Sequence, residues 1–464
     1  MPLRRGHSVF FLLAIERGES YSMLHHEKYG REVGAMNPAR EHLKRTHGEV
    51  FSDGAMIELV RGHGDPASLA LLLWEGRHAV IGGLVRHDGK AYTPPSLDPT
   101  LSRSMRLPSE ATPYGSTREL FTGITDLAIH YCRVPEDAAA KIAFFVFGGW
   151  LIEKLDFAPL LSVVAPPGSA KNLLLRLLSL ICRRPLILAD TSASTLRSLP
   201  TPLAATFLFD EAILTPRTER MIAASLTRGR LTIRAGRAID NFSAKVICSP
   251  APLGPALACK ALQIMLPPTS GQLPIFGDDA LEQVAKEYQA KLLLYRLTNY
   301  TKVVTPQFDV GALTPPVQEV ARALASCITA DEQLQQRVVS LLSDADCDFR
   351  TNQSSSLEAA ILEGLIFCCH DPQRPHVLCG QLADIVNTLW TERGDDRRTT
   401  PESVGWKLRS VGLRTSAIGA KGHGLDLTDE LKTRVHKLAY QHGVTTLART
   451  AKTECENCAR TSAR

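Results

Sequence analysis

Short apolar runs typical of strands alternate along the chain with longer segments whose apolar residues recur at helical spacing. This pattern predicts a mixed α/β architecture. Residues 1–105 carry β-prone runs at 9–15, 56–60 and 78–84 between polar turns. The proline-rich stretch 90–99 predicts a loop. We therefore expect a small α/β region at the start of the chain, and its pattern assigns it no role.

One apolar run leads into a segment typical of a phosphate-binding loop. It reads Val-Val-Ala-Pro-Pro-Gly-Ser-Ala-Lys-Asn over 163–172, and a helical repeat follows over 173–181. The usual pattern is G-x-x-x-x-G-K-[S/T]. Here Ala165 and Ala170 replace the two glycines, and Asn172 replaces the hydroxyl residue. The candidate nucleotide-binding residues are Pro167, Gly168, Ser169, Ala170, Lys171 and Asn172.

Backbone N–H groups at a helix N-terminus form a good phosphate site, and Lys171 adds a positive charge there. Ala170 is costly if its backbone needs a positive φ. Asn172 offers an amide oxygen to Mg²⁺, a poorer ligand than a hydroxyl. The alternative is an ordinary strand–turn–helix junction around Pro166-Pro167-Gly168.

Two further β-prone runs end in polar residues that fit the same chemistry. One ends at Asp210-Glu211, and the next, over 244–249, ends at Ser249. Ligands of parallel sheets bind at the carboxyl ends of the strands. We therefore expect Lys171 and Asp210 to follow adjacent strands and to face one cleft. The alternative for the two acids is a helix N-terminus with a favourable dipole interaction.

These segments, with the run 256–265 that contains Lys260, resemble the AAA+ and superfamily-3-helicase-like ATPases of phage, plasmid and integrated-element replication proteins. The resemblance covers about residues 115–270. It implies ATP and Mg²⁺ as cofactors, with Asp210 and Asn172 at the metal and Glu211 orienting water. It further implies that Ser249 senses the γ-phosphate and that Lys260 acts on a neighbouring subunit in place of an arginine finger, which makes a homo-oligomer a candidate assembly.

Beyond this core the pattern predicts further regions. Helical repeats cover the rest up to 370, at 279–298, 315–327, 331–342 and 356–368. After them, helix, helix and a short β-wing resemble a winged-helix module. The predicted division is 1–105, a small α/β region; 110–275, the ATPase core with its helical lead-in; 276–370, a helical region; 372–445, the winged helix; and 446–464, a disordered tail.

Basic residues make DNA a candidate partner. Arginines recur through a predicted hairpin at 228–237, and basic residues follow the second helix and wing of the C-terminal module. The candidate DNA contacts are Arg228, Arg230, Arg234, Lys407, Arg409, Arg414 and Lys421. Such residues contact phosphates in DNA-binding modules. The alternatives are a solvated hairpin and a protein-docking module, and a formal net charge of +5 is compatible with all of them.

Cysteine usage and apolar stretches bear on location and metals. Five of the eleven cysteines lie in apolar runs and are expected to be buried, as in proteins of a reducing cytoplasm: Cys182, Cys248, Cys327, Cys368 and Cys369. Cys455 and Cys458 form one CxxC; a zinc site needs four ligands, and the candidates His370 and Cys379 are far away in sequence. The sequence therefore gives little support for zinc. The apolar runs are too short to span a membrane, and we expect a cytoplasmic protein.

The combined prediction is a helicase-like, DNA-transacting ATPase of the mobile-element replication type. Departures from the family pattern at Ala165, Ala170, Asn172 and Lys260 indicate weakened hydrolysis. One alternative is a non-hydrolysing nucleotide- or DNA-binding protein that retains the fold. Another is a transcriptional regulator that uses the C-terminal module alone.

Overall fold

The protein is described as a computed structural model. The described residues are 43–65, 67–210, 212–234, 237–266, 268, 277–305, 309–419, 422–444 and 455–458. The chain divides into two compact units, Met1–Ser343 and Asp344–Arg464. Outside the described residues lie the predicted strand at 9–15, Glu211, Lys421 and, apart from 455–458, the predicted disordered tail 446–464.

In the first unit, residues 43–93 form two small sheets that share an apolar core. Its strands are β1 (Leu43–Arg45), β2 (Gly48–Val50), β3 (Met56–Arg61), β4 (Leu69–Glu75), β5 (His78–Gly82), β6 (Val85–His87) and β7 (Lys90–Thr93). β2-β3-β4-β5 form an antiparallel sheet, and β1-β7-β6 form the second. Ile57, Leu73, Tyr92 and Leu107 are among the residues that pack between them.

The loop predicted for 90–99 is wrong over its first part. Lys90–Thr93 is a strand that pairs with both β1 and β6. Ala91 and Tyr92 are buried, and this burial favours a strand despite the turn that the following prolines predict. A short helix, α1 (Pro99–Ser104), begins only after Asp98, whose carboxylate accepts hydrogen bonds from two N–H groups of its first turn.

The centre of the first unit is a parallel sheet flanked by helices. Its five strands run in the order β14-β8-β13-β10-β9, all parallel. The strands are β8 (Leu160–Val164), β9 (Pro185–Leu188), β10 (Thr206–Phe209), β13 (Lys245–Ser249) and β14 (Leu262–Met265). β8, β10 and β13 are buried along their whole length, as expected for strands covered on both faces. An antiparallel hairpin of β11 (Leu231–Arg234) and β12 (Arg237–Asp240) precedes β13.

Further helices of this unit are α2 (Thr117–Cys132), α3 (Glu136–Trp150), α4 (Lys171–Ile181), α5 (Ala193–Arg197), α6 (Pro216–Ser225), α7 (Pro255–Ala258), α8 (Asp278–Asn299), α9 (Pro315–Ser326) and α10 (Glu332–Ser354). Side-chain caps mark the start of α2, α5 and α6. Short 3₁₀ turns cover Ile152–Lys154, Thr201–Leu203 and Tyr300–Lys302. Ser116 and Glu119 form a reciprocal capping box at α2. The boundary between the two units falls within α10, which runs on to Ser354 instead of ending at 342 as predicted.

Helix α3 is the apolar centre of this unit. Phe144, Phe145 and Phe147 are fully buried in it, and the Trp150 indole Nε1 donates to the Ile181 carbonyl at 2.9 Å. The helix packs on the parallel sheet beside β8 and β14.

A buried ion cluster connects the N-terminal sheets to the parallel-sheet core. Glu58 of β3 accepts hydrogen bonds from Arg183 Nη2 at 3.0 Å, Arg184 Nη2 at 2.8 Å and Arg296 Nε at 2.5 Å. Glu153 accepts from Arg183 Nη1 at 2.6 Å and from Arg296 Nη1 at 2.8 Å. Burial alone would raise the pKa of Glu58, but the three guanidinium groups outweigh it and hold that pKa below its usual value.

The described part of the second unit includes further helices and a small antiparallel sheet. Its elements include α11 (Leu357–Cys369), β15 (His376–Leu378), α12 (Cys379–Glu392), α13 (Pro401–Ser410), β16 (Ser416–Ala417), β17 (His423–Asp426) and α14 (Asp429–Gln441). The sheet order is β15-β17-β16. One hydrophobic cluster includes residues of α11 together with α12, α13, β17 and α14. Helix α11, which we assigned to the preceding helical region, therefore shares the core of the C-terminal elements.

Candidate functional site

Lys171 and Asp210 meet at the carboxyl edge of the parallel sheet. Lys171 is the first residue of α4, which follows β8, and Asp210 directly follows β10. Lys171 Nζ lies 2.8 Å from Asp210 Oδ1 in a partly exposed ion pair. The expectation of adjacent strands is wrong, because β13 lies between β8 and β10. The two side chains nevertheless reach each other across the end of β13.

The loop before α4 turns at a glycine in the left-handed region. Gly168 has φ of +82°, a conformation that glycine adopts without strain, and its Cβ position has no atom within 4 Å. Among the described residues no side chain caps the first turn of α4. The dipole and N–H groups of that turn therefore face this edge of the sheet.

Ala170 does not impose the cost that its sequence position suggests. Its φ is −75° and its ψ is 23°, a conformation open to any L-residue. Its carbonyl accepts the first helical hydrogen bond, from Leu174 N at 3.1 Å. Substitution of the second glycine of the pattern by alanine is therefore compatible with this loop shape. Asn172, at the hydroxyl position, is exposed on the same first turn.

Backbone hydrogen bonds fix the loop to the strands on either side. Ala165 N donates to Ser249 O at 2.9 Å, and Leu266 N donates to Val164 O at 2.9 Å. Within the loop, Ser169 N donates to Pro166 O at 3.2 Å. These bonds position Lys171 without help from the two missing glycines.

Ser249 ends the strand between the two halves of the site. Its hydroxyl donates to the Ala251 carbonyl at 2.5 Å, so it also orders its own turn. On the same strand, burial raises the pKa of the Cys248 thiol to about 12, with Asp210 adding to this effect. Cys248 is therefore a buried thiol beside the site.

Lys260 lies elsewhere, after α7. Its Nζ lies 5.8 Å from the centre of the Phe157 ring, within cation–π range. Its action on a neighbouring subunit stays a prediction.

The hairpin arginines differ in what they contact. Arg228 Nε donates to Leu155 O at 2.7 Å, Arg228 Nη2 donates to Ile152 O at 2.8 Å, and the guanidinium stacks on Phe242. Arg228 thus holds the base of the hairpin. Arg230 is exposed, and of Arg234 only the backbone strand is described. A DNA contact from these residues stays a prediction.

The basic residues of the second unit also differ in their contacts. Lys407 Nζ lies 2.5 Å from Glu358 Oε1, and the Arg409 guanidinium lies 5.4 Å from the ring centre of Trp406, whose side chain is largely exposed. Burial would raise the pKa of Glu358, but its hydrogen bond from Lys407 lowers it below its usual value. Arg414 is exposed in the segment before β16.

Sequence reasoning missed the basic cavity beside the buried ion cluster. A cavity of about 430 Å³ is lined by Arg183, Arg184, Arg228 and Arg296 with Glu153, among other residues. Lys171 is not among its lining residues, which come from separate parts of the first unit. The dipeptide Arg183-Arg184 was visible in the sequence, but its partner Glu58 lies in a different sheet and gave no signal.

Within the residues that the structure describes, no helix is long and apolar enough to cross a membrane. All eleven cysteines are thiols, and Cys182, Cys248, Cys327, Cys368 and Cys369 are buried as predicted. No family model and no curated protein matches the chain.

The solved structures that are similar to the chain include two of the C-terminal region of NrS-1 in the apo A form. The first has a TM-score of 0.33 and 11% identity, and covers 80% of this chain and 96% of its own. The second has a TM-score of 0.33 and 12% identity, with 79% and 96% coverage.

Proposed function

We propose that the chain is an ATP-binding, DNA-transacting protein with a helicase-like P-loop core and a C-terminal winged-helix module. The observation that carries this proposal is the Lys171–Asp210 pair beside the first turn of α4. A lysine at a helix N-terminus and a carboxylate at the same sheet edge are the residue types that a nucleotide phosphate and its Mg²⁺ require.

The residues present fit this pair of ligands. The loop Pro167–Ser169, the first turn of α4 and Lys171 would hold the phosphates, and Asp210 with Asn172 would hold Mg²⁺. Bound ATP would supply a transferable γ-phosphoryl group. Ser249 ends the strand between Lys171 and Asp210, which suits the predicted sensor position. Lys171 and Asp210 form an ion pair with each other. On binding, phosphate would replace Asp210 as the partner of Lys171, and Mg²⁺ would replace Lys171 as the partner of Asp210.

Hydrolysis would be weak in this site. The amide of Asn172 replaces a hydroxyl metal ligand, and Lys260 lacks the bidentate fork of arginine. Ala170 does not add to the deficit, because its φ is −75°. A non-hydrolysing, nucleotide-binding protein is the second candidate, and the exposed Asn172 favours it.

The proposed DNA contact rests on the second unit. Helices α12 and α13 followed by the β16–β17 hairpin have the order of a winged helix, and α13 carries Lys407 and Arg409 in its last turn. We propose a role in the replication of a mobile element for the protein as a whole, on the resemblance of the core motifs described above. A homo-oligomer would allow Lys260 to act in trans.

Nucleotide binding by the full chain tests the proposal. Fluorescent ATP would be titrated with and without Mg²⁺ into wild type, Lys171→Met and Asp210→Asn. Lys171→Met should abolish binding under both conditions. Asp210→Asn should weaken only the Mg²⁺-dependent binding, because it removes a metal ligand and leaves Lys171 available for phosphate.

Lys286→Met is the matched control, since that lysine lies on α8 with a largely exposed side chain. It should bind nucleotide as the wild type does. Equal binding by wild type and Lys171→Met would refute the P-loop assignment. Binding without turnover, with and without single-stranded DNA, would select the non-hydrolysing candidate.

A further inference from the structure

Two histidines and the CxxC cysteines converge in the second unit. His370 follows α11, His436 lies on α14, and Cys455 and Cys458 lie near the end of the chain. One ligand atom from each of the four residues lies within 4.8 Å of every other. The structure thus brings together residues that are 66 and 88 positions apart. His370 was one of the two sequence candidates, whereas His436 was missed.

The distances match a tetrahedral zinc centre. His370 Nε2 and His436 Nε2 are 3.1 Å apart, Cys458 Sγ lies 3.3 Å from His370 Nε2, and Cys455 Sγ lies 3.4 Å from His436 Nε2. Zinc–ligand bonds of about 2.1 Å to nitrogen and about 2.3 Å to sulfur place tetrahedral ligands roughly 3.4 to 3.8 Å apart. The cluster is therefore near the size that one zinc ion sets.

The orientation of His436 supports the same chemistry. Its Nδ1 lies 2.6 Å from the Lys432 carbonyl, which can only accept a hydrogen bond, so Nδ1 carries the proton. Nε2 of the neutral ring then presents a lone pair to the centre of the cluster. Metal-binding histidines are held in this way by a carbonyl or carboxylate on the other nitrogen. His436 is itself buried, which fixes its ring on α14.

We propose that His370, His436, Cys455 and Cys458 bind one structural zinc ion. Four protein ligands complete the tetrahedral shell and leave no position for a substrate, which is typical of structural rather than catalytic zinc. Two thiolates and two imidazoles also suit zinc better than Mg²⁺ or Ca²⁺, which prefer oxygen ligands.

The ion would attach residues 455–458 to α14 and to the end of α11. A contact between Thr433 Oγ1 and Asn457 Oδ1, at 3.3 Å, already lies beside the cluster. Zinc would thereby convert this part of the predicted tail into a fixed component of the second unit. Cys379, the other sequence candidate, takes no part: it is buried against Gly405 of α13.

The metal content of the full-length protein tests the proposal. The chain would be purified without a metal-binding tag, incubated with Zn²⁺, desalted and analysed by inductively coupled plasma mass spectrometry. Wild type should hold about one zinc per chain. Cys455→Ser with Cys458→Ser should reduce this to background. Cys347→Ser, at an exposed cysteine outside the cluster, should leave it unchanged.

Cobalt substitution keeps the test independent of variant folding. Wild type loaded with Co²⁺ should show the visible d–d bands of a tetrahedral ion and a thiolate charge-transfer band, and Zn²⁺ should displace both. Two results would overturn the proposal. One is a wild type that retains no metal and gives no tetrahedral spectrum. The other is a double cysteine variant that retains as much metal as wild type.

Discussion

Glu58 and Arg296 form a buried ion pair across 238 positions of sequence, with 2.5 Å between Oε1 and Nε. Arg183 and Arg184 contact the same carboxylate, so one acid of the N-terminal sheet serves three guanidinium groups of the core. Glu153 is the second acid of the cluster. The N-terminal sheet and the parallel-sheet core are thus joined by a buried ion cluster.

We expect Glu58→Gln to destabilise the first unit strongly. Removing one partner of a buried ion pair typically costs about 3–5 kcal/mol, because the remaining charge stays desolvated. Glu49→Gln is the control: it removes the exposed pair with Lys44 and should cost less than about 1 kcal/mol. Urea unfolding followed by pulse proteolysis would measure both, and equal effects would contradict a stabilising role for the cluster.

Two substitutions would restore residues of the P-loop pattern, and the loop conformation predicts different effects of the two on ATP turnover. Asn172→Thr should raise Mg²⁺-dependent ATP turnover by about tenfold or more, equivalent to about 1.4 kcal/mol in the barrier. Ala170→Gly should give no gain, because Ala170 already has a negative φ. Asn172→Ala is the matched control and should not gain activity. A gain from Ala170→Gly alone would show that nucleotide binding requires a different loop conformation.

DNA binding should depend more on Arg414 than on Lys407. Arg414 is exposed, whereas Lys407 is paired with Glu358. In fluorescence anisotropy of the full chain on a labelled duplex, Arg414→Ala should weaken binding across sequences and lower the log–log salt slope by about one. Lys407→Ala should change the slope less. Lys286→Ala, in the other unit, should behave as wild type, and an unchanged slope for Arg414→Ala would argue for a protein-docking module.

The buried Lys245 predicts a pH dependence of stability. Burial lowers the pKa of its ammonium to about 7, against 10.5 in an unfolded chain, with Asp240 opposing this shift. The folded state therefore binds fewer protons between these pH values, and stability should fall as pH drops from about 10.5 to about 7, by roughly 3–5 kcal/mol in total. Below about pH 7 both states are charged and the penalty is constant.

Lys245→Met should remove this slope. The variant also loses the hydrogen bonds that Nζ donates to Asn241 O, Ser243 O and Ser243 Oγ, but that loss is nearly independent of pH. The informative quantity is therefore the difference in free energy of unfolding between variant and wild type across the pH range. Lys286→Met, at an exposed lysine, should give a flat difference, and so would Lys245→Met if Lys245 titrated normally.

The local elements around Lys171 could be predicted from sequence because each depends on neighbouring residues. An apolar run specifies the strand, a Pro-Pro-Gly turn specifies the loop, and leucines at helical spacing specify the helix, all within about twenty positions. The order of the strands could not be predicted. The position of β13 between β8 and β10 depends on packing between segments that are distant in sequence.

Dependence on packing between distant segments also explains why the sequence did not predict the ion cluster at Glu58 and gave little support for the cluster of His370, His436, Cys455 and Cys458. Glu58 lies in an apolar strand, where its carboxylate has no local partner, and its three arginines come from later elements. His436 lies in a polar, amphipathic helix, where one histidine carries no periodic signal. Its meaning depends on His370 and the CxxC, which only the packing of α11 and α14 brings close.

The ion cluster at Glu58 also restricts how this protein can be divided by recombination. A gene fragment that began after β3 would encode a core in which Arg183, Arg184 and Arg296 had lost the carboxylate that all three share. Desolvated guanidinium groups without that counter-charge would oppose folding. Exchange of the N-terminal sheets between related genes would succeed only where the incoming sheet has an acid at the position of Glu58. The N-terminal sheets and the parallel-sheet core are therefore expected to be inherited together.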